Sequence, residues 1–220
     1  FENEKAGQFP DTKWKINNLG KGWVLGETLI TGIGQGYTQT TPIQLCLMTA
    51  QIANGGYKIQ PKILTDDNEL TSEQVKKAIQ NSKINNSYEP LYNDQKNIRI
   101  VQEAMFSSTN EIMGTSYKSR IDDPKYQFAG KTGTAQVKRI SKRERELDLK
   151  TFQIPYEERD HALYVAYGPY SNPRYAVSII VEHGGSGSLT AAPMATQLFK
   201  LIIDRHQYRK KLPDYKEFSI

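Results

Sequence analysis

The chain has 220 residues, of which 37% are hydrophobic and 24% charged, and its formal net charge is +5. This composition is typical of a globular domain with enough residues to bury a core. No apolar run approaches the roughly 20 residues that a membrane-spanning helix needs, and no signal peptide begins at Phe1. We expect the N-terminus to be a truncation point, with any membrane anchor upstream.

Several functional classes are disfavoured by the same inventory. Cys46 is the only cysteine, so no internal disulfide forms, and its apolar surroundings favour a buried side chain over a nucleophile. The basic segment 138–150 interleaves acidic residues and lacks aromatic ones, which favours a solvated loop over a nucleic-acid-binding surface. The three histidines match no metal-ligand spacing, and we expect structural roles for His161 and His183. We therefore expect neither a metal nor another cofactor.

In chain order, the first half of the sequence predicts few elements. Turn residues within 1–20 predict a loop. Thr41-Pro42-Ile43-Gln44 is typical of a capping box at the start of a helix, which Asn54-Gly55-Gly56 ends. Because 43–53 is apolar on nearly all sides, we expect this helix to be buried beneath a sheet. A short extended piece at 61–65, an exposed helix at 71–80 and a loop at 81–92 follow.

The second half alternates between helix and strand patterns. A helix is predicted over 94–107, with an inner face of Ile98, Val101, Ala104 and Met105. Strands are predicted at 127–137, 161–167 and 174–181, and the turn 168–173 makes the last two an antiparallel hairpin. A polar connection spans 138–158. The final helix, 189–209, is expected to turn inward Met194, Leu198, Leu201 and Ile202. The fold class is α+β: an antiparallel sheet with packed helices.

The most informative motif is Lys131-Thr132-Gly133-Thr134 on the first predicted strand. Two-residue periodicity places Lys131 and Gly133 on one face and the two threonines on the other. Glycines in a strand weaken it and often mark the close approach of a ligand or another backbone, so we expect a substrate along this edge. Lys131 would supply positive charge and a proton relay, and the threonine hydroxyls would bind a carboxylate. The Thr134 N–H would face a developing oxyanion. The alternative is a chance tripeptide in a turn.

A serine acyl-transfer enzyme that uses Lys-Thr-Gly also needs a nucleophile in a Ser-x-x-Lys motif. No serine in the chain has a lysine three positions later. We therefore expect this chain to form one side of a catalytic site, without the nucleophile.

Four segments, in this order along the chain, resemble the C-terminal portion of the transpeptidase domain of class B penicillin-binding proteins. The likeness is greatest to the cell-elongation type, the penicillin-binding protein 2 group. The segments are Gly32–Gln44, Ala53–Gly56, Gly130–Gln136 and Asp160–Pro169. The resemblance spans nearly the whole chain and is weakest at 62–97 and 138–158.

This resemblance implies a penicillin-binding and serine β-lactamase-like fold that is incomplete on its N-terminal side. Residues 1–220 would be the C-terminal part of one transpeptidase domain, with the nucleophile, a dimerisation region and a membrane anchor upstream. Lys131, Thr132, Gly133 and Thr134 would bind substrate, and Lys131 and the Thr134 backbone would act in catalysis. Ser108-Thr109-Asn110 matches the family's Ser-x-Asn motif but follows Gly32–Gln44 instead of preceding it, so we interpret it as coincidence. The strand 174–181 would have an open edge.

The resemblance implies a peptidoglycan D,D-transpeptidase that works at the periplasmic face of the bacterial inner membrane. Its partners would be stem peptides ending in D-Ala-D-Ala, β-lactams and a membrane glycosyltransferase. Without its serine, this segment alone should be inactive. Two alternatives stay open: a non-catalytic penicillin-binding-like module, and a class A β-lactamase-like hydrolase. The second is weaker because Gly32–Gln44 is a signature of the transpeptidase branch.

Overall fold

The computed structural model describes residues 4–61, 90–91, 93–138 and 149–209. The chain divides into two compact units, Phe1–Leu45 and Cys46–Ile220. The predicted helix at 71–80 lies outside the described residues, as do most of the predicted segments 61–65 and 81–92. Among the helices in the described ranges, none combines the length and apolar character needed to cross a membrane.

The first unit contains two short helices, α1 (Thr12–Leu19) and α2 (Leu25–Gly32). The loop predicted over 1–20 is therefore wrong for most of its second half. The residues that predicted turns instead cap a helix: the Asp11 carboxylate accepts a hydrogen bond of 2.6 Å from the Trp14 N–H. Gly20 ends α1 in the left-handed conformation, with φ of 63°.

A buried lysine holds the two helices of the first unit together. Lys15 donates to the Gly22 carbonyl over 2.7 Å and to the Glu27 carboxylate over 2.6 Å. The hydrogen bond from Lys15 lowers the pKa of Glu27, and a second one from the Val24 N–H acts in the same direction. Lys15 is thus paired, as a buried charge must be.

Helix α3 (Pro42–Ala53) begins at the predicted capping box. The Gln44 N–H donates to the Thr41 hydroxyl over 3.3 Å, and the Thr41 N–H donates to the Gln44 side-chain oxygen over 2.9 Å. The prediction that α3 is buried nearly all round is wrong, because only Thr49 and Ile52 are buried. Ile52 meets the core, and most of the other residues of α3 are only half-buried or exposed.

The second unit is built on a three-stranded antiparallel sheet in the order β1 (Ala129–Ala135), β2 (His161–Gly168), β3 (Tyr175–Val181). All three strands and the hairpin were predicted. The register places Thr132 opposite Tyr164, and Tyr164 opposite Ile179.

One face of the sheet packs against α5 (Ala192–Arg209), the C-terminal helix. Phe128, which precedes β1, stacks on Phe199 of this helix at 4.9 Å between ring centroids. The predicted inner face of the helix is wrong at Met194 and Leu201, which are 47% and 69% exposed, while Leu198 and Ile202 are half-buried. A π-helical turn at Gly187–Ala191 precedes α5, and small side chains let the helix approach the sheet closely. The buried residues are Ala192, Ala195, Phe199 and Ile203.

The other face of the sheet packs against α4 (Gln95–Asn110), together with the end of α3. Asp94 caps α4 by accepting a hydrogen bond of 2.8 Å from the Lys96 N–H. The predicted inner face is half right, since Ile98 and Met105 are buried while Val101 and Ala104 are exposed. Met105 packs with Ile52, Ala129 and Tyr167.

Candidate active site

The predicted site residues lie on β1, an outer strand of the described sheet. Lys131 pairs with Val165, Thr132 with Tyr164, and Thr134 with Ala162. Directly opposed residues project from the same face of a sheet. Thr132 and Thr134 therefore share the face of α5, and Lys131 and Gly133 share the face of α4, as the two-residue period predicted. Lys131 and Thr134 are exposed, while Thr132 and Gly133 are partly buried.

The Lys131 ammonium group lies beside the Thr132 hydroxyl although the two side chains leave the strand on opposite faces. Lys131 Nζ donates to the Thr132 carbonyl over 2.8 Å and lies 3.5 Å from Thr132 Oγ1. The long lysine side chain thus folds back along the strand. A cation and a hydroxyl donor at one point suit a carboxylate, which is an acceptor at both oxygens.

Thr132 also contacts Thr115, a residue that the sequence analysis did not identify. The two threonine hydroxyls are 3.3 Å apart, and the Thr115 hydroxyl is 3.2 Å from Ser108 Oγ. Thr115 belongs to the turn after α4, where a Gly-Thr-Ser sequence is ordinary turn chemistry and carries no recognisable signal.

The glycines of β1 have structural causes of their own. A Cβ atom at Gly130 would lie 2.3 Å from the Tyr164 hydroxyl oxygen. At Gly133, a Cβ atom would lie 3.3 Å from Cβ of Leu163, the residue opposite it in the register, which is a tight but smaller conflict. Both glycines therefore mark places of close approach, but the groups that approach them are side chains of the protein itself, those of Tyr164 and Leu163. These glycines therefore do not by themselves indicate a ligand.

Tyr164 is the centre of a buried hydroxyl cluster behind β1. Its hydroxyl lies 2.9 Å from Thr109 Oγ1 and 3.1 Å from Ser116 Oγ. All three residues are buried. Burial raises the pKa of Tyr164, and the two hydrogen bonds offset this only in part. The phenol is therefore neutral and serves as a fixed hydrogen-bonding group.

The Ser108-Thr109-Asn110 sequence forms the end of α4 and makes structural contacts. The Asn110 amide donates to the Phe128 carbonyl over 2.9 Å and to the Phe106 carbonyl over 3.0 Å. These bonds fix the end of the helix to the chain entering β1. Such occupied groups agree with the interpretation of the motif as coincidence.

His161 and His183 shape the turn after β3. The His183 N–H donates to His161 Nδ1 over 2.9 Å, and His183 Nδ1 lies 3.1 Å from the Arg159 carbonyl. This agrees with the expected structural roles.

Within the described ranges, no group of three or more His, Cys, Asp and Glu side chains has the arrangement of a metal site. Burial raises the pKa of Cys46, which argues against an activated thiolate.

The sequence model of the penicillin binding protein transpeptidase domain matches residues 1–202. The chain belongs to this transpeptidase family. The resemblance and the fold class expected from the sequence are thereby confirmed.

Similar proteins agree with this assignment. The peptidoglycan D,D-transpeptidase MrdA of Haemophilus influenzae is 30% identical over 100% of this chain and 32% of its own length. The protein of the same name from Escherichia coli K12 is 32% identical over 91% of this chain and 29% of its own length. The transpeptidase chain thus spans about a third of the curated relatives it matches.

Solved structures of the family superpose on most of the chain. Penicillin-binding protein 2 of Helicobacter pylori, in a complex with MreC, matches 96% of this chain and 32% of its own, with a TM-score of 0.69 and 29% identity. Penicillin-binding protein 2 of Pseudomonas aeruginosa, in a complex with WCK 5153, matches 98% of this chain and 40% of its own, with a TM-score of 0.62 and 31% identity.

Proposed function

We propose that this chain supplies the Lys-Thr-Gly strand of a serine-type peptidoglycan D,D-transpeptidase. The observation that carries the proposal is the Lys131 ammonium group, which lies 3.5 Å from the Thr132 hydroxyl on an outer strand of a penicillin-binding transpeptidase fold. Residues 1–220 are the C-terminal part of one transpeptidase domain, and the nucleophile belongs to the upstream part of the full protein.

The reaction class is acyl transfer through a covalent intermediate. The serine hydroxyl attacks the carbonyl carbon of the penultimate D-Ala, and the bond to the terminal D-Ala breaks. The released D-Ala leaves with the proton, and the acyl group then passes to an amine on a neighbouring stem peptide. β-Lactams acylate the same serine, because their ring amide takes the place of the D-Ala-D-Ala bond.

Each residue of the strand has one role in this proposal. The Thr132 and Thr134 hydroxyls, with the Lys131 charge, bind the carboxylate of the donor or the β-lactam. Lys131 also relays a proton. The Thr134 N–H donates to the oxyanion of the tetrahedral intermediate, a contribution that is large in acyl transfer. Because Gly133 has no side chain, no group projects from the strand at this position to block a ligand that contacts Lys131 and Thr134.

The cellular setting of the proposal is the periplasmic face of the inner membrane, where the full protein is anchored upstream. A membrane glycosyltransferase supplies the glycan strands that the transpeptidase crosslinks. The complex of the Helicobacter pylori relative with MreC supports an MreC-like protein as a further partner.

The test is the intact mass after incubation with a fluorescent penicillin, with the full natural protein and this chain alone compared after circular dichroism shows both folded. We expect acylation of the full protein only. Lys131→Ala in the full protein should slow acylation by about 10²-fold or more, because it removes the fixed positive charge. Lys13→Ala, an exposed lysine on α1, is the matched control and should leave the rate unchanged.

Two results would contradict this function. An adduct on the chain alone would show that the nucleophile lies within these 220 residues. The absence of an adduct on either folded protein would favour a non-catalytic penicillin-binding-like module.

A further inference from the structure

The turn between α4 and the 3₁₀ turn Tyr117–Ser119 follows a fixed path close to the end of the helix. The Ser116 N–H donates to the Ser108 carbonyl over 3.0 Å. At Gly114, a Cβ atom would lie 2.4 Å from that same carbonyl oxygen, so only glycine fits there. The turn is therefore held against the last turn of α4.

A second set of contacts fixes this turn to the sheet. Ser116 is 1% exposed, and its hydroxyl donates to the Ser108 carbonyl over 3.0 Å and lies 3.1 Å from the Tyr164 hydroxyl. Tyr164 is directly opposite Thr132 in the sheet register. The position of the turn relative to Thr132 is thus set by buried groups on both sides.

The exposed residue of this turn, Thr115, is the one that contacts the candidate site. Its hydroxyl is 3.3 Å from Thr132 Oγ1 and 3.2 Å from Ser108 Oγ, so three hydroxyls form a chain from α4 to β1. Each hydroxyl has one hydrogen to donate and can accept from others.

The direction of this chain follows from what Thr132 must do. An ionised carboxylate accepts hydrogen bonds and donates none, so Thr132 has to point its only hydrogen at the ligand. Thr132 Oγ1 can then only accept hydrogen bonds from its protein neighbours, so Thr115 must be the donor in the contact between the two hydroxyls. Ser108 in turn donates to Thr115. A hydroxyl that already accepts from Thr115 has its own hydrogen directed away from Thr115, where a ligand carboxylate can accept it.

We propose that Thr115 is a positioning residue that orients the Thr132 hydroxyl toward the carboxylate of the acyl donor. This inference rests on the proposed function, since it requires Thr132 to bind that carboxylate. Thr115 itself does not touch the reacting atoms.

The test uses the full natural protein and two acyl donors that differ in one group. The first is a D-alanyl thioester whose leaving group ends in a carboxylate, and the second is the methyl ester of the same donor. Thr115→Val removes the hydroxyl at nearly constant shape, and Thr115→Ser keeps it. Thr12→Val, at an exposed threonine of α1, is the matched control.

We expect Thr115→Val to lower kcat/KM for the carboxylate donor by about 5- to 15-fold. This is the effect expected from losing one hydrogen bond, here the bond from Thr115 to the hydroxyl of Thr132 that binds the carboxylate. The methyl ester should change by less than about twofold, because it has no carboxylate to bind. Thr115→Ser should stay close to the natural protein with both donors. Thr12→Val should match it as well.

An equal loss with both donors would overturn the proposal, since a merely structural role affects them alike. Full activity of Thr115→Val, or a Thr115→Ser variant as impaired as Thr115→Val, would overturn it too. A failure of the role of Thr115 can be distinguished from a failure of the role of Thr132. If the natural protein discriminates between the donors but Thr115→Val has no selective effect, only the role of Thr115 fails. If the natural protein shows no preference for the carboxylate donor, the proposed role of Thr132 fails, and that of Thr115 with it.

Discussion

Replacing Gly130 with alanine should destabilise the second unit, Cys46–Ile220, although the change adds a single methyl group. The new Cβ atom would lie 2.3 Å from the Tyr164 hydroxyl oxygen and 2.5 Å from Cζ of the same ring. Tyr164 is fully buried and cannot turn away into solvent. The ring has to move, and its hydroxyl then leaves the contacts with Thr109 and Ser116.

The size of the effect follows from these two consequences. Overpacking a well-filled core costs about 1–3 kcal/mol. Each of the two hydrogen bonds of the phenol contributes about 1 kcal/mol. We therefore expect Gly130→Ala to lower the free energy of unfolding by about 3–5 kcal/mol. That is a large share of the roughly 5–15 kcal/mol that stabilises a typical domain.

The assay is urea unfolding of the full natural protein, followed by circular dichroism, in a double-mutant cycle. Tyr164→Leu removes the hydroxyl oxygen and the two ring carbons that the new methyl group would meet, so Gly130→Ala should cost less than about 1 kcal/mol in that background. Gly26→Ala is the matched control. No atom lies within 4 Å of a Cβ built there, and helix α2 should be unchanged or slightly more stable.

Two outcomes would refute the reasoning. A Gly130→Ala protein as stable as the natural one would show that the ring and strand adjust at no cost. An equal loss in the natural and Tyr164→Leu backgrounds would show that the glycine is needed for some reason other than the tyrosine ring.

Two further predictions concern titratable groups of the second unit. Hydrogen bonds from Tyr126 and Lys125 lower the pKa of Asp204. The stability that this carboxylate contributes is therefore present above its unfolded pKa of about 3.9, and it is lost as the pH falls through the folded pKa. The Tm advantage of the natural protein over Asp204→Asn should accordingly be constant near neutral pH and vanish in acid; an advantage that persists in acid would contradict the assignment. Burial raises the pKa of Cys46, and its Sγ lies 3.4 Å from the Ala176 carbonyl. Alkylation of this thiol by iodoacetamide at pH 8 should therefore be slow in the folded protein and fast in urea. Mass spectrometry of the peptide that contains Cys46 measures both rates. Equal rates in both states would show that the thiol is not protected.

Elements with strong local signals could be predicted from the sequence. The capping box at Thr41 and Gln44 needs only residues three apart, and both of its hydrogen bonds form. Strands β2 and β3 follow from β-branched and aromatic runs between turn residues, and their pairing follows from the short connection 168–173. The two faces of β1 follow from the two-residue period alone.

Features set by tertiary packing could not be predicted in the same way. The inner face of α5 was expected to carry Met194, Leu198, Leu201 and Ile202, but the buried residues are Ala192, Ala195, Phe199 and Ile203. Two of these residues are alanines, whose small side chains let the helix lie close to the sheet. Phe199 stacks on Phe128, while Leu201 remains exposed. The phase of the helix depends on that fit and on the π-helical turn before it.

The candidate site combines both kinds of information, which explains why only part of it was recognised. Lys131, Thr132 and Thr134 are adjacent in the chain, so a motif reveals them. Thr115 lies 17 residues earlier, and its approach to Thr132 depends on Gly114 fitting against Ser108 and on Ser116 reaching Tyr164. None of these residue types is unusual in a turn. Their arrangement becomes informative only once Tyr164 is known to lie opposite Thr132, because that pairing fixes the turn to the strand that it supports.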